Sequence, residues 1–346
     1  MLRIAFLLES TVLCGGVKVV LNLAQAMQAK GYEVAVISDE GYPDWFLGHL
    51  NFLSHNPFAQ DAVQSFDYVV ATSFRLVNTH ARHMQLGQLV HLVQGYEGGL
   101  SECEHMLEQI HQAYTLLVPK LTISESLTRR LASLFPQGRF CTVGQGLEHD
   151  LFYPSASWKD EIKNRPASLF LVGPSTISVK QIHIGLKAYA QAKKRYSELE
   201  LIRISSVDTK ADEERIAGHI SEYHVHVSPR SIGELFRTKN GVLLASSGPG
   251  EGFGLPPLEA MACAVPVVMS DIPSFRNFAQ PVDYAQFVRH DDPDAMAEGI
   301  CGLMTDGTRR MQLAERGLQV AKEYSYEKVA NRLEEILFSC TDGPSG

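Results

Sequence analysis

The sequence predicts an α/β protein built from two Rossmann-like domains, each with a parallel β-sheet. Short apolar runs rich in β-branched residues alternate with helical patterns through most of the 346 residues. This alternation is typical of parallel strands joined by crossover helices. A proline-rich, charged stretch over 153–166 interrupts the pattern, which then restarts. We therefore interpret 153–166 as the linker between two domains.

In the first half, strands are predicted where short apolar runs are bounded by turn residues, and helices where the apolar residues recur every three to four positions. The predicted elements are a strand over 3–8, a helix over 17–30, strands over 33–38, 68–72, 89–94 and 114–118, and a helix from Ser124. The N-terminal apolar run leads into a glycine pair and not into a small-residue cleavage site, so we interpret it as a strand and not as a signal peptide.

The second half repeats the same arrangement after the linker. Its predicted elements are strands over 168–173, 199–205, 223–227, 242–245, 265–269 and 287–289, with helices over 182–196, after Pro257, and over 295–304. No repeat shorter than a domain is visible. The two halves therefore correspond to two Rossmann-like domains.

Composition excludes several classes of protein. The formal net charge of −8 and the pI of about 5.9 argue against a nucleic-acid-binding protein, whose phosphate-binding face is usually basic. The six cysteines show no metal-like spacing and are expected to be mostly small core residues in a reducing compartment. The sequence has no run of about eighteen apolar residues, which is the length needed to span a membrane. These features predict a cytoplasmic location.

The most informative segment runs from Glu251 through Gly-Phe-Gly-Leu-Pro-Pro-Leu to Glu259. Its glycines allow a ligand to approach the main chain closely, and its prolines suit the first positions of a helix. We expect a helix from about Pro257, with Glu259 in its first turn and Glu251 on the preceding loop. The free N–H groups and the dipole of this helix would favour a phosphate. The alternative is a glycine–proline turn before a core helix.

The Glu-x7-Glu pattern within EGFGLPPLEAMACAVPVV resembles the retaining nucleotide-sugar glycosyltransferases of family 4, which have the GT-B fold. The resemblance covers nearly the whole chain. It implies two Rossmann-like domains facing a cleft, with residues 1–160 binding the acceptor and residues 161–322 binding the donor. It also implies that residues 323–346, with an amphipathic helix from near Tyr324, cross back to the first domain.

The resemblance also implies roles for residues in the Glu251 segment. Glu251 would face the donor sugar as a catalytic residue, and Glu259 would hold the ribose of the nucleotide. The backbone amides of Phe253, Gly254 and Leu255 would contact the phosphate and the sugar.

One further donor-binding element follows the first strand of each half. Gly15 and Gly16 open the helix after the first strand, where relatives carry glycines that approach the donor diphosphate; the alternative is a tight turn. Lys180 matches a lysine that binds the diphosphate in relatives, and we assign it a catalytic role. Relatives often have arginine where this chain has Pro174, and glycine where it has Gln181. The second basic ligand of the diphosphate is therefore unassigned.

Polar residues end a strand of the first half, at the sheet edge where open α/β folds bind ligands. We predict that Gln94 and Tyr96 bind the acceptor and that Glu97 is catalytic. His91, which alternates into the strand, is expected in the core. Ser124, at a helix start, is either a ligand contact or a helix cap.

The sequence contains one candidate metal-binding motif, which we interpret as a helix cap. Asp292-Pro-Asp294 looks like the Asp-x-Asp motif of a different transferase fold, but it directly precedes an amphipathic helix. A helix cap is the favoured interpretation. No His, Cys and Asp cluster lies elsewhere in the sequence, so no metal and no cofactor is predicted.

Together, these features predict a retaining, metal-independent glycosyltransferase that moves a sugar from a nucleotide diphosphate sugar to a hydroxyl acceptor. The acceptor is a sugar, a lipid-linked molecule or a small molecule, and nucleic acid is not a partner. The sequence leaves open whether the protein makes peripheral contact with the inner face of a membrane. The rivals are a nucleotide-sugar epimerase on the same fold and a non-catalytic nucleotide-sugar-binding subunit. The base and sugar of the donor, the acceptor and the oligomeric state are not determined by the sequence.

Overall fold

A computed structural model of the chain describes residues 2–85 and 87–341, excluding the side chains of residues 340 and 341. The chain divides into two compact units. Unit 1 comprises Met1–Gly146 and the C-terminal segment from Ser325, and unit 2 is Leu147–Tyr324. The sequence placed these boundaries at 160/161 and 322/323. Residues 342–346 of the predicted returning segment lie outside the described residues.

Unit 1 is built around a seven-stranded, all-parallel sheet. Its strands are β1 (Arg3–Leu7), β2 (Glu33–Ser38), β3 (Asn51–Ser54), β4 (Tyr68–Ala71), β5 (Leu89–Val93), β6 (Lys120–Thr122) and β7 (Phe140–Thr142). Their order in the sheet is β3-β2-β1-β4-β5-β6-β7. The first helices of this unit are α1 (Gly15–Ala29), α2 (Phe74–His80), α3 (Leu107–Thr115) and α4 (Glu125–Leu134). The central strands are buried on both faces, which explains their continuous apolar sequences.

Unit 2 contains a six-stranded parallel sheet with the order β10-β9-β8-β11-β12-β13. Its strands are β8 (Ser168–Val172), β9 (Glu200–Ser205), β10 (Glu222–Val225), β11 (Gly241–Ala245), β12 (Val267–Ser270) and β13 (Gln286–Val288). Its helices are α5 (Trp158–Glu161), α6 (Ile182–Arg195), α7 (Lys210–Ala217), α8 (Pro229–Thr238), α9 (Leu255–Ala262), α10 (Pro293–Thr305) and α11 (Gly307–Ala321). This is the Rossmann strand order, so the predicted fold class is confirmed.

The C-terminal helix, α12 (Tyr326–Thr341), packs against α1 within unit 1. Its apolar face buries Val329, Leu333 and Leu337. Lys30 Nζ lies 2.9 Å from a Glu334 carboxylate oxygen, and the Tyr32 hydroxyl donates to the same carboxylate. The predicted return of the C-terminal helix to the first domain is therefore confirmed for its described residues.

One predicted strand is wrong, and three strands were missed. The apolar run over 114–118 is not a strand, because Tyr114 and Thr115 complete α3 and the strand follows at β6. Tyr114 is fully buried, whereas Leu117 is largely exposed, so the run does not follow a strand pattern of burial. The missed strands are the edge strands β3 and β7, which have few buried residues, and β6, a three-residue buried strand that begins two residues after the misassigned run.

The cysteines are less buried than the sequence predicts. Cys263 and Cys301 are buried as expected, but Cys14 is exposed and Cys103 and Cys141 are partly exposed. The expectation of mostly core cysteines is therefore wrong for these three, and the side chain of Cys340 lies outside the described residues.

Within the described ranges, no helix is both long and apolar enough to cross a membrane.

Candidate functional site

The candidate site of unit 2 lies where the strand order reverses, between β8 and β11. Lys180 follows β8 and Glu251 follows β11, and these two strands are hydrogen-bonded neighbours. Loops that leave such neighbouring strands in opposite directions open a crevice at the carboxyl edge of the sheet. The topology therefore brings together two residues that are 71 positions apart in the sequence.

Lys180 and Glu251 form an ion pair in this crevice. Lys180 Nζ lies 2.8 Å from Glu251 Oε2, and the Ser247 hydroxyl donates to the same oxygen at 2.8 Å. The Glu251 side chain is 9% exposed and that of Lys180 is 25% exposed. A small cavity is lined by these three residues together with Gly254 and Phe275. A fixed carboxylate therefore lies next to an ammonium group that solvent can reach.

Helix α9 begins beside this ion pair, at Leu255 and not at Pro257 as expected. Its N-cap, Gly254, has φ +86°, and a Cβ there would lie 2.4 Å from the Phe275 ring. The first four N–H groups of a helix have no partner within it. Because residues 256 and 257 are prolines, only Gly254 and Leu255 can supply such donors here. These are two of the amides predicted to contact the donor.

The other predicted donor residues of this segment are buried. Glu259 is the fifth residue of α9, so the expectation that it lies in the first turn is wrong. It is 4% exposed. Phe253 is buried with its ring stacked on Phe278 at a centroid distance of 4.7 Å, so only its backbone is available to a ligand.

Gln181, at a position where the family resemblance implies that glycine is common, has a left-handed backbone with φ 47° and ψ 36°. This conformation explains why glycine suits the position. The Gln181 side chain donates to Asp291, which also has a positive φ of 58°. A hydrogen bond therefore joins two residues that both have left-handed backbones, and one of them, Gln181, directly follows Lys180.

We expect Gln181→Gly to be more stable than Gln181→Ala by about 1 kcal/mol, because alanine resists a left-handed backbone. Both variants lose the hydrogen bond to Asp291, so the comparison isolates the backbone conformation. Denaturant unfolding of the two variants measures the difference. Equal free energies of unfolding would show that residue 181 is not left-handed in solution.

In unit 1, the glycine pair lies inside the helix and not in a turn before it. Gly15 and Gly16 are the first two residues of α1, so the helix starts two positions earlier than expected. Cys14 is the N-cap, and its Sγ accepts from the amide of Val17 at 3.5 Å. The side-chain amide of Gln94 donates to the Gly16 carbonyl at 3.1 Å. The structure therefore brings Gln94 to the glycine pair.

Tyr96, which is predicted to bind the acceptor, is buried, with 7% exposure. Its hydroxyl lies 3.1 Å from His111 Nε2, and its ring packs edge-on against Tyr114 and Phe135. The guanidinium of Arg130 lies 5.5 Å from the ring centroid. Tyr96 therefore belongs to an aromatic cluster, and its contact with the acceptor stays a prediction.

Glu97 accepts a 2.7 Å hydrogen bond from Tyr114. The residue as a whole is partly exposed, but its carboxyl group lies in the interior. Desolvation by this burial raises the pKa of Glu97, the bond from Tyr114 opposes this, and the negative charge of Glu9 adds a smaller increase. Glu97 is therefore a carboxyl group that holds its proton to higher pH than usual.

We expect Glu97→Gln to stabilise unit 1 increasingly, relative to wild type, as the pH rises above the ordinary carboxyl pKa of 4.5. The folded state holds the Glu97 proton above the ordinary pKa of 4.5, where the unfolded state has lost it. Ionisation of Glu97 therefore removes stability as the pH rises through its folded pKa, and glutamine does not ionise. Urea unfolding in a Trp158→Phe background, with Trp45 as reporter of unit 1, measures this. A pH-independent difference would contradict it.

Two motifs with alternative interpretations are helix caps. The Ser124 hydroxyl accepts from the amide of Leu127 at 3.2 Å at the start of α4. Asp292 accepts from the amide of Ala295 at 2.9 Å at the start of α10, with Pro293 as the first helical residue. The cap interpretation of Asp292 is confirmed. His91 is fully buried in β5, as expected.

Two residues of unit 2, Ser247 and Arg203, were not predicted from the sequence. Ser247 follows the buried strand β11, so its position at a carboxyl edge could have identified it. Arg203 is a charged residue inside the apolar run of β9 and is fully buried. Because a buried charge needs a partner, its place in the run was the available signal. Among the described residues, no three His, Cys, Asp or Glu side chains form a potential metal site.

Comparison with known proteins agrees with this architecture. Residues 157–320 match the family of glycosyl transferases group 1. A phosphatidyl-myo-inositol mannosyltransferase of Mycobacterium tuberculosis is 22% identical, over 93% of this chain and 92% of that protein. The O-antigen chain mannosyltransferase B of Escherichia coli is 40% identical, over 22% of this chain and 20% of that protein.

Solved structures resemble the whole chain. Sucrose-phosphate synthase from Thermosynechococcus elongatus has a TM-score of 0.77 at 17% identity, covering 98% of this chain and 99% of that one. Anabaena HepE in complex with UDP-glucose has a TM-score of 0.75 at 14% identity, covering 98% and 100%. With the group 1 match over unit 2, these similarities lead to one conclusion. The chain belongs to the glycosyltransferases of the GT-B fold.

Proposed function

We propose that this glycosyltransferase is a retaining enzyme that binds a nucleotide diphosphate sugar on unit 2 and transfers the sugar to a hydroxyl acceptor. The observation that carries the proposal is the Lys180–Glu251 ion pair beside the first turn of α9. An ammonium group and two main-chain N–H groups, of Gly254 and Leu255, converge at the edge where Rossmann sheets bind nucleotides. HepE, which has a similar fold, was crystallised with UDP-glucose.

The chemistry follows from where charge develops. As the bond between sugar and phosphate breaks, negative charge grows on the departing diphosphate and positive charge grows on the sugar. Lys180 and the N-terminus of α9 would stabilise the diphosphate. The ammonium group has three donors, so Lys180 can hold Glu251 and a phosphate oxygen together. Glu251 would face the sugar, and the departing phosphate oxygen would take the proton of the acceptor.

The proposed reaction uses no metal ion and no cofactor. The positive charge comes from Lys180 and the helix N-terminus, and the Asp292 carboxylate already caps α10. Gly15 and Gly16 as donor contacts, Gln94 and Tyr96 as acceptor contacts and Glu97 as a catalytic residue are predictions that the geometry leaves open. The buried position of Tyr96 weakens its assignment.

The proposed acceptor is a sugar, a lipid-linked molecule or a small hydroxyl compound in glycoconjugate synthesis. The relatives named as mannosyltransferases include one that acts on phosphatidyl-myo-inositol and one of O-antigen chains. A cytoplasmic location, with peripheral contact to the inner face of a membrane, is part of this proposal.

A nucleotide screen tests the donor class. We expect one of UDP, GDP, ADP and TDP to raise the unfolding temperature most, because a ligand that binds only the folded state stabilises it. The matching nucleotide sugar should then be hydrolysed or transferred, with the anomeric configuration read by NMR. Inversion would contradict the retaining mechanism. Binding without turnover for every sugar would favour a non-catalytic subunit, and isomerised sugar would favour an epimerase.

We expect Glu251→Ala and Glu259→Ala to differ in their kinetics. Loss of Glu251, near the reacting sugar, should mainly lower kcat. Loss of Glu259, which would hold the ribose in ground and transition states alike, should mainly raise the donor KM. Steady-state kinetics with varied donor measures both. Identical changes in the two variants would contradict these roles.

A further inference from the structure

Arg203 is a buried arginine whose hydrogen-bonding groups are all used. It lies in β9 with 0% exposure. Its Nε and Nη2 donate to the two carboxylate oxygens of Glu213 at 2.7 and 2.9 Å. Its remaining donors reach the carbonyls of Gly173 at 2.6 Å, Leu171 at 2.9 Å and Ile204 at 2.7 Å. These five bonds match the five N–H groups of a guanidinium.

The bond to Gly173 connects Arg203 to the candidate site. Gly173 directly follows β8 and has φ +126°, a backbone conformation that favours glycine. A Cβ on Gly173 would lie 3.6 Å from Cγ and Cδ of Lys180, so the aliphatic chain of Lys180 packs on this glycine. Arg203 therefore holds the carbonyl of the residue against which Lys180 rests.

A second set of contacts fixes the same loop. The Thr209 hydroxyl donates to Glu213 at 2.9 Å, and the Ser175 hydroxyl lies 2.8 Å from the Thr209 hydroxyl. Ser175 and Gly173 are both in the loop that leads to Lys180. The Arg203–Glu213 pair thus holds this loop at two points, although it is too buried to touch a ligand.

We propose that Arg203 is a positioning residue that sets the location of the Lys180 ammonium through the backbone of Gly173. This inference rests on the proposed function of Lys180 but names a residue outside the donor site. Lysine has one point of charge and no planar fork, so it cannot bind Glu213 and three carbonyls together. Arg203→Lys therefore keeps the buried charge and releases the loop.

The chain offers a matched control in Arg310. It is also buried, and it donates to the carbonyls of Ile162, Leu303, Lys163 and Asn164, away from Lys180. We expect Arg203→Lys to lower kcat about tenfold or more, with the donor KM changed less than about threefold. Arg310→Lys should leave kcat within about twofold at temperatures where both variants are folded.

Combination with Lys180→Ala separates positioning from general damage to the fold. If Arg203 acts through Lys180, Arg203→Lys should reduce kcat less than about twofold further in the Lys180→Ala background. Losses that multiply in full, or a wild-type rate for Arg203→Lys, would overturn the inference. Should Arg203→Lys fail to fold, Glu213→Gln replaces it; because this change removes only the carboxylate that orients Arg203, we expect a smaller loss of kcat and a smaller shift of the Lys180 signal in the same direction.

A measurement without turnover keeps the inference independent of the proposed function. NMR of lysine-labelled protein identifies the Lys180 signal by its loss in Lys180→Ala. We expect this signal to shift in Arg203→Lys and to stay in place in Arg310→Lys. An unmoved signal overturns the inference even if no sugar is transferred. A wild-type protein without transferase activity but with the shift contradicts the proposed function alone.

Discussion

Lys180→Ala should lower kcat by about a hundredfold or more, because removal of one preorganised donor from a developing anion typically has that effect. Proline occupies position 174, where relatives often have a second cation. In addition, the variant leaves the Glu251 carboxylate with its bond from Ser247 but without the ammonium partner. An unpaired carboxylate next to the departing diphosphate would oppose its charge. The measurement is kcat with the donor identified by the nucleotide screen.

Lys187→Ala is the matched control, because Lys187 is an exposed lysine on α6, the helix that follows Lys180. We expect the kcat and the unfolding temperature of Lys187→Ala to equal those of wild type, and we expect Lys180→Ala to remain folded at the assay temperature. A near-wild-type rate for Lys180→Ala would show that another basic group holds the diphosphate. Equal losses in both variants would indicate a general effect of lysine removal.

Arg203→Met should destabilise unit 2 by about 3–5 kcal/mol, because removal of one partner leaves the Glu213 carboxylate buried and unpaired. Glu213 is 2% exposed, so solvent cannot compensate for the lost charge. We expect the double variant Arg203→Met, Glu213→Leu to recover part of the loss, since it removes the unpaired charge as well. Recovery should be incomplete, because the carbonyls of Leu171, Gly173 and Ile204 lose their donor.

Urea unfolding in a Trp45→Phe background measures this, because Trp158 is then the tryptophan that reports on unit 2. Arg195→Met is the control for the loss of an arginine–glutamate pair. Arg195 pairs with Glu298 at the surface, where both side chains are more than half exposed, and such pairs contribute little. Equal losses for Arg203→Met and Arg195→Met would show that the buried network is not what stabilises unit 2.

The strands could be predicted well where they are central in their sheets, because burial on both faces requires an uninterrupted apolar run. β2 lies at the predicted residues, and β8 and β11 begin or end within one residue of the predicted positions. The edge strands β3 and β7 could not be predicted in this way, since an edge strand buries few side chains. The error at 114–118, which also led to β6 being missed, has a different origin, because a short apolar run has no clear period.

At the candidate site, too, local features could be predicted from the sequence, whereas contacts between distant segments could not. The glycines, prolines and glutamates of the Glu251 segment identified the family, because their spacing reflects a loop and a helix start that are local in the chain. The start of α9 at Leu255 depends on packing of Gly254 against Phe275, a residue from a later part of the chain. The end of β5 identified Tyr96 as a candidate acceptor contact, but its burial depends on contacts with Tyr114 and Phe135.

The fold class, the family resemblance and the Lys180 and Glu251 segments could be predicted from the amino-acid sequence, because period, turn chemistry and local motifs act over a few neighbouring positions. Which of those residues meet depends on how the strands pair in the folded protein. The pairing of β8 with β11 joins Lys180 to Glu251, and the pairing of β8 with β9 places Arg203 beneath Gly173. Strand order is set by contacts between distant segments, and no local pattern contains it.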